Sequence, residues 1–167
     1  INDILYVGNS MFVTVWNSYI IGTCESCNTN PTNWDVKDLK QNNFSRDLNG
    51  VTLGTYDIIF VGDNGWLAYD TLSTTSAWNG SLWSKSSGTS KNLWDICYGN
   101  NTFIAVGDNG TIQTSSENGI SYATSSVSPT WTSRNSGTTN TLFDVIYENN
   151  IFMTVGDNGT ILTSTDG

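Results

Sequence analysis

Aspartate recurs at one position of the sequence, and carboxylates are the first residues to consider for chemistry. Asp3, Asp95 and Asp144 each stand directly before an apolar residue in similar stretches of the chain. Glycosidases use two carboxylates held about 5 to 9.5 Å apart, so these residues would suit glycoside hydrolysis if they met in space. Catalytic residues break the symmetry of a repeat, however, whereas these three obey it. A hydrogen bond within the fold is therefore the favoured interpretation, with hydrolysis as the alternative.

Tryptophan supplies the candidate ligand-binding residues. Trp16, Trp66, Trp78 and Trp94 stand at positions where corresponding parts of the chain carry other residue types. Aromatic rings at strand ends and in loops can stack on a sugar ring or anchor a protein partner. Packing inside the fold is the alternative for each of them, and it is the favoured one.

Several classes of site are excluded or disfavoured by composition. The chain has no histidine, which removes Ser-His-Asp and Cys-His nucleophile systems and every histidine-ligated metal site. Cys24 and Cys27 form one CxxC pair, and Cys97 adds only a third thiol, so a four-ligand zinc site is not predicted. The pair is either a loop disulfide or two free thiols, and Cys97 is expected to be a packing residue. We therefore predict no metal, no cofactor and no enzymatic activity.

Charge and hydropathy limit the partners. The 167 residues contain 6 Lys and Arg against 15 Asp and Glu, which gives a net charge of −9. A nucleic-acid binder needs cations to displace counterions from phosphate, and an anionic membrane surface attracts cations too, so both partners are disfavoured. No apolar run reaches 18 residues, so membrane insertion is not predicted.

The chain is built from internal repeats. Val-Gly-Asp-Asn-Gly occurs at residues 61–65, 106–110 and 155–159, and the stretches around these copies also match. Leu-Trp-Asp-Ile-Cys-Tyr at 93–98 corresponds to Leu-Phe-Asp-Val-Ile-Tyr at 142–147. The alignment divides the chain into units of about 1–47, 48–92, 93–141 and 142–167, and the last unit is the shortest.

Within a unit the apolar period is two, which is typical of β-strands. The third unit predicts strands at about 93–98, 102–106, 110–115 and 130–133. Asn-Gly pairs between strands indicate type I′ hairpins, so Gly110 and Gly159 should have positive φ. Only residues 35–41 could form a turn or two of helix. A four-stranded antiparallel meander repeated every 40 to 50 residues is typical of a β-propeller blade, so the predicted fold is an all-β propeller segment.

One motif carries a family resemblance. Residues 115–122, Ser-Ser-Glu-Asn-Gly-Ile-Ser-Tyr, resemble the Asp-box Ser-x-Asp-x-Gly-x-x-Trp, with Glu for Asp and Tyr for Trp. Residues 164–167, Ser-Thr-Asp-Gly, match the start of another box, and residues 76–83 are a degenerate one. The chain resembles Asp-box (BNR) repeat β-propellers, including the photosystem II assembly-factor-like group and bacterial and phage surface repeat propellers.

The box residues are expected to be structural. A hydroxyl and a carboxylate accept hydrogen bonds from backbone N–H groups in a tight turn, glycine allows positive φ, and the aromatic residue anchors the turn. The residues assigned to this role are Ser115, Glu117, Gly119, Tyr122, Ser164, Asp166 and Gly167.

Proteins with Asp-box repeats have many different functions, so we use the residue composition to decide which of these functions to expect here. Low charge and Ser-, Thr- and Asn-rich loops favour a non-catalytic scaffold or adhesion module on a cell surface, on a virion surface or in the extracellular space. The alternative is a carbohydrate-binding propeller or part of an Asp-box glycoside hydrolase. Sialidase activity is disfavoured, because Arg46 and Arg134 are the only arginines and lie at non-equivalent repeat positions. An assembly factor of the related group would use a basic patch, which this chain lacks.

Four units, the last one short, suggest an incomplete ring. We expect the chain to be processed or part of a longer polypeptide, or to pair with a second copy. The partner is thus another protein, a second copy or further chain, with a glycan as a further possibility. The apolar end faces expected to make this contact carry Ile4, Phe12 and Val15 in the first unit and Val145, Phe152 and Val155 in the last.

Overall fold

The structure is a computed structural model that describes residues 2–8, 11–16, 20–24, 35–38, 46–55, 57–71, 82–117 and 130–167. In these ranges the fold is all-β, as the sequence predicts, and its strands form four antiparallel sheets. In every sheet the strands are hydrogen-bonded in chain order, so each sheet is a simple up-and-down meander.

The sheets follow one another along the chain. Sheet 1 contains β1 (Asp3–Gly8), β2 (Met11–Trp16), β3 (Ile20–Cys24) and β4 (Asp35–Asp38). Sheet 2 contains β5 (Leu48–Leu53), β6 (Asp57–Gly62), β7 (Trp66–Thr71) and β8 (Trp83–Ser86). Sheet 3 contains β9 (Leu93–Gly99), β10 (Thr102–Gly107), β11 (Thr111–Ser116) and β12 (Thr132–Arg134). Sheet 4 contains β13 (Leu142–Glu148), β14 (Ile151–Gly156) and β15 (Thr160–Ser164).

Tight Asp-Asn-Gly turns join the second and third strands of sheets 2, 3 and 4. Gly110 has φ +68° and Gly159 has φ +72°, so the positive φ predicted for both glycines is confirmed. Asn109 and Asn158 before them also have positive φ, as a type I′ turn requires. The turns therefore fix the register of the strands on either side.

Consecutive sheets pack face to face, because side chains alternate along each strand and both faces carry apolar residues. In β6, Ile58 and Phe60 pack in the core shared with sheet 1, whereas Ile59 and Val61 pack in the core shared with sheet 3. A third core joins sheets 3 and 4, where Cys97 meets residues of β13 and β14. Every residue of β6 is buried for this reason.

Two expectations from the sequence are wrong. Residues 35–38 form strand β4, paired with β3, and not a turn of helix. The expected end faces are also partly misassigned, because Val15, Val145 and Phe152 are buried in the cores between sheets. Ile4 and Val155 are exposed as expected, and the side chain of Phe12 lies outside the described part.

Candidate functional site

The recurring aspartates lie on the innermost strands, which are neighbours in space. Strand β5 contacts β1 and β9, and β9 contacts β13. Asp3, Asp95 and Asp144 occupy equivalent positions on β1, β9 and β13, and β5 has Gly50 at this position. The carboxyl groups of Asp95 and Asp144 are hydrogen-bonded to each other, and Asp3 is close enough to influence the ionisation of Asp95. The structure thus brings all three aspartates together.

Two of these carboxylates link one sheet to the next. The backbone N–H of Val51 in sheet 2 donates to Asp3 Oδ2 at 2.9 Å. In the same way, the N–H of Val145 in sheet 4 donates to Asp95 Oδ2 at 2.8 Å. Val51 and Val145 are themselves equivalent residues of the repeat. The aspartates therefore form a repeated bond between sheets, which is the structural role that the sequence favours.

The ionisation of the pair is unusual. Burial, and then the hydrogen bond to Asp144, raise the pKa of Asp95 to about 8. Burial also raises the pKa of Asp3. Two backbone hydrogen bonds lower this pKa, but each has a smaller effect than burial. The hydrogen bond to Asp144 therefore favours the protonated form of Asp95. Carboxyl groups in direct contact are closer than the separation that glycoside hydrolysis requires.

Bulges redirect the side chains next to the aspartates. The strand register shifts at Asn49, Trp94 and Phe143, which are equivalent residues of β5, β9 and β13. A bulge leaves one residue outside the pairing and turns its side chain in a new direction. At Asn49 the amide donates to the carbonyl of Leu93 in the next sheet at 2.9 Å and to Asp63 Oδ1 at 3.2 Å.

The indole of Trp94 makes a corresponding contact with a turn. Its Nε1 donates to Asp108 Oδ1 at 2.7 Å, and Asp108 is equivalent to Asp63. The ring of Trp94 also lies 6.5 Å from that of Phe143, centroid to centroid, at a tilt of 59°. Phe143 is about half exposed, so this aromatic pair borders solvent.

The other tryptophan candidates are differently placed. Trp66 packs against the core between sheets 1 and 2, where it supports the fold. Trp16 ends strand β2, but its side chain lies outside the described part of the structure, as does all of Trp78. Of the two candidates whose side chains are described, Trp94 is the one next to the recurring aspartates, and its role in ligand binding stays a prediction.

Glu117 joins sheets 2 and 3. This nearly buried carboxylate accepts three hydrogen bonds. The backbone N–H of Thr55, the hydroxyl of Thr55 at 2.7 Å and the hydroxyl of Tyr98 are the donors. The pKa of Tyr98 is raised by burial and by its bond to Glu117. Glu117 thus bonds to the loop between β5 and β6, whereas the turn that follows it lies outside the described residues, so its expected role there stays a prediction.

The remaining box residues are only partly described. Ser164 Oγ accepts from the backbone N–H of Gly167 at 3.0 Å and of Asp166 at 3.3 Å, and it donates to Asp166 Oδ1 at 2.8 Å. This arrangement has the geometry of a serine-capped turn. Ser115 is buried in β11. Gly119 and Tyr122 lie outside the described ranges.

A cleft of about 430 Å³ opens between sheets 3 and 4. Its walls are mostly apolar, with Ile104 and Ile112 on one side and Phe152 and Leu162 on the other. Arg134 also lines it, and its Nε donates to Thr114 Oγ1 at 2.9 Å. The cleft is separate from the aspartate cluster.

Thiol, metal and membrane features add little to the site. Cys97 is buried, and burial, with smaller contributions from Asp95 and Asp144, raises the pKa of its thiol to about 12. Cys27 falls outside the described residues. Within the described ranges no three Cys, Asp or Glu side chains are arranged to hold a metal ion. Across the same residues, no helix has the length and apolar character needed to cross a membrane.

The sequence alone did not predict which residues form the hydrogen bonds between neighbouring sheets. Asn2 and Asn49 both donate to a backbone carbonyl of the following sheet, Asn2 to Leu48 at 2.6 Å. Their shared position in the repeat was a signal that could have revealed this role. Thr55 carries no comparable signal, because it meets Glu117 only through the packing of two sheets.

No protein-family model matches the chain, and no curated protein matches it. Its function must therefore be inferred from its own repeats and contacts.

Proposed function

We propose that the chain is a β-propeller segment that acts as a non-catalytic scaffold or adhesion module in the extracellular space, on a cell surface or on a virion surface. The fold part of this proposal is supported by four consecutive meander sheets that pack face to face. Blades of a propeller have this topology and cover one another in this way. The chain's resemblance to Asp-box propellers points in the same direction.

The observation that carries the non-catalytic assignment is the use of the recurring carboxylates. Asp3 and Asp95 accept backbone N–H groups of the following sheet, at 2.9 and 2.8 Å. The hydrogen bond between Asp95 and Asp144 also places the two carboxyl groups closer together than a glycosidase pair requires. Residues committed to holding sheets together at repeated positions are poor candidates for a catalytic pair.

The surface composition supports an exposed location with a protein partner. The described loops between sheets are short and polar, with sequences such as Ser-Ser-Gly-Thr at 86–89 and Asn-Ser-Gly-Thr at 135–138. The acidic balance of the chain disfavours nucleic acid and anionic lipid as partners.

Activity measurements test this proposal directly. The purified chain is incubated with sialosides, β-glucans and aryl β-glycosides, beside the Asp95→Asn and Asp144→Asn variants. We expect no turnover from any of the three proteins. Turnover by the wild type that disappears in either variant would contradict the non-catalytic assignment.

Carbohydrate binding is the second candidate, and the aromatic pair of Trp94 and Phe143 favours it. A half-exposed aromatic ring offers a stacking surface for a sugar, and Asp144, the next residue in the chain, carries hydrogen-bond acceptors. A glycan array with the wild type and with Phe143→Ala separates the two functions. Binding that Phe143→Ala abolishes supports a carbohydrate-binding propeller, whereas an empty array together with a protein partner supports the scaffold.

A further inference from the structure

Sheet 4 presents an apolar surface to solvent. Ile146, Met153, Val155 and Ile161 point outward from β13, β14 and β15 and are between 40 and 64% exposed. We call these four residues the sheet 4 face. Contiguous exposed apolar residues on a folded protein mark interaction sites more often than chance.

The preceding sheets show what covers this kind of face. In sheet 3 the equivalent residues are Cys97, Ile104, Val106 and Ile112. These residues pack against sheet 4, with Val145 and Phe152 as the covering side chains. In sheet 2 the equivalents Ile59, Val61 and Leu67 pack against sheet 3 in the same manner. The face is therefore built to receive the opposite face of a sheet of this repeat.

Two residues of strand β1 expose part of the opposite face on sheet 1, whereas Thr14, paired with Ile4, is buried. Ile4 is 56% exposed and Tyr6 is 59% exposed, and we call these two residues the sheet 1 face. Ile4 is equivalent to Val51, Ile96 and Val145, and each of these is buried against the preceding sheet. Tyr6 is equivalent to Tyr98 and Tyr147, which pack against the same cores. The two exposed faces are thus the two halves of an interface that the chain forms three times internally.

We propose that the sheet 4 face binds the sheet 1 face of a second copy of this chain, in a head-to-tail contact. The proposal rests on the proposed scaffold function and names its partner. The contact continues the series of sheet-to-sheet interfaces, so no new type of packing is required. A contact between two different faces is heterologous, and it closes into a ring where the rotation allows.

A polar group supports the same geometry. Asp144 is equivalent to Asp3 and Asp95, which accept the N–H groups of Val51 and Val145 in the following sheet. In the head-to-tail contact the N–H of Ile4 in the second copy is the equivalent donor, and it would have to exchange or share its present acceptor, Asp3 Oδ1 at 2.7 Å. Asp144 would then complete the bond that the other two aspartates already make.

The test uses one charged substitution on each face of the full chain. Met153→Glu places a carboxylate in the sheet 4 face, and Ile4→Glu places one in the sheet 1 face. Ser90→Glu, on an exposed loop, is the control for added charge. Self-association is measured by sedimentation velocity over a wide concentration range, and circular dichroism checks that each variant is folded. Ile161→Glu replaces Met153→Glu if that variant does not fold, and Tyr6→Glu replaces Ile4→Glu in the same case.

We expect the wild type and Ser90→Glu to self-associate alike. Either face variant should weaken association by roughly a hundredfold, because a charged group would enter an apolar interface. The decisive sample is the equimolar mixture of the two face variants. Each variant retains the face that the other has lost, so the mixture should form a dimer although neither variant does so alone.

Three results would overturn the proposal. A wild type that stays monomeric would assign the sheet 4 face to another occupant, such as further chain or a different protein. Association that survives both substitutions would place the contact elsewhere. A mixture that stays monomeric would show that the sheet 4 face and the sheet 1 face do not bind each other. The hydrolysis and glycan measurements are independent of all three, so they would still decide the proposed function.

Discussion

Two glycines of the repeat have the same backbone conformation but different surroundings. Gly110 and Gly159 both have positive φ, at +68° and +72°. A Cβ added to Gly110 would lie 2.1 Å from the carbonyl oxygen of Thr138 and 2.6 Å from Ser136 Oγ. A Cβ added to Gly159 would meet nothing within 4 Å among the described residues. Alanine substitution therefore separates the cost of the conformation from the cost of the contact.

The expected magnitudes follow from these distances. Alanine in the left-handed region costs about 1–2 kcal/mol, and this applies at both positions. At Gly110 the backbone of the 136–138 segment must also move, and overpacking of this kind adds about 1–3 kcal/mol. The free energy of unfolding should thus fall by about 1–2 kcal/mol in Gly159→Ala and by about 2–5 kcal/mol in Gly110→Ala. For a chain of this size, the melting temperature of Gly110→Ala should be roughly 2–12 °C below that of Gly159→Ala.

Chemical denaturation of the two variants, with thermal melting as a second measurement, checks this prediction. Gly65→Ala is an internal replicate of Gly110→Ala, because its Cβ would lie 1.9 Å from the carbonyl oxygen of Thr89. Gly159→Asn should be close to neutral, since asparagine tolerates positive φ, whereas Gly110→Asn should keep the steric penalty. Equal losses in Gly110→Ala and Gly159→Ala would refute the contact with the 136–138 segment.

Three further predictions concern polar contacts. Because the pKa of Asp95 is raised from 3.8 to about 8, the folded state holds a proton that the unfolded state releases. The contribution of Asp95 to stability should therefore be complete below about pH 4 and be lost towards pH 8, by at most about 1.4 kcal/mol per pH unit. Denaturant titrations at a series of pH values should find this slope reduced in Asp95→Asn, and an unchanged slope would exclude Asp95 as its source. Glu117→Ala should lower the free energy of unfolding by about 1–3 kcal/mol for each donor that is left without an acceptor, and Glu117→Gln should lower it by less. Equal losses for the two variants in denaturant titrations would argue against the hydrogen bonds. Trp94→Phe should cost about 1 kcal/mol in the same assay through the lost bond to Asp108, and an unaltered stability would contradict that bond.

Local signals in the sequence were enough to predict much of sheet 3. Its strands begin and end within one or two residues of the prediction, because Asn-Gly turns and period-two alternation mark their limits. Strand β4 was missed for the opposite reason. Asp35, Lys37 and Asp38 have low strand propensity, and the segment is a strand because it pairs with β3.

The candidate site was only partly predictable. The repeat alignment placed Asp3, Asp95 and Asp144 at one position, and the structure brings them together. It could not reveal that Asp95 contacts Asp144, since that bond depends on how sheets 3 and 4 pack. Alternation likewise defines two faces of a strand without telling which one meets the preceding sheet. That is why Val145 and Phe152 were expected on the outer face and are in fact buried.

The one departure from the aspartate repeat has a physical reason in the structure. The equivalent residue of sheet 2 is Gly50, and a Cβ there would lie 2.8 Å from the Cα of Asp95 and 3.1 Å from its Oδ1. Strands β5 and β9 are thus too close for an aspartate at this position. An aspartate would also bring another carboxylate next to Asp95, whose pKa is already raised by burial and by its bond to Asp144. Asn49, the preceding residue, supplies a neutral link instead, because its amide donates to the carbonyl of Leu93. Sheets 2 and 3 are therefore joined here by the amide of Asn49, because β5 and β9 lie too close together for the carboxylate that Asp3 and Asp95 supply elsewhere.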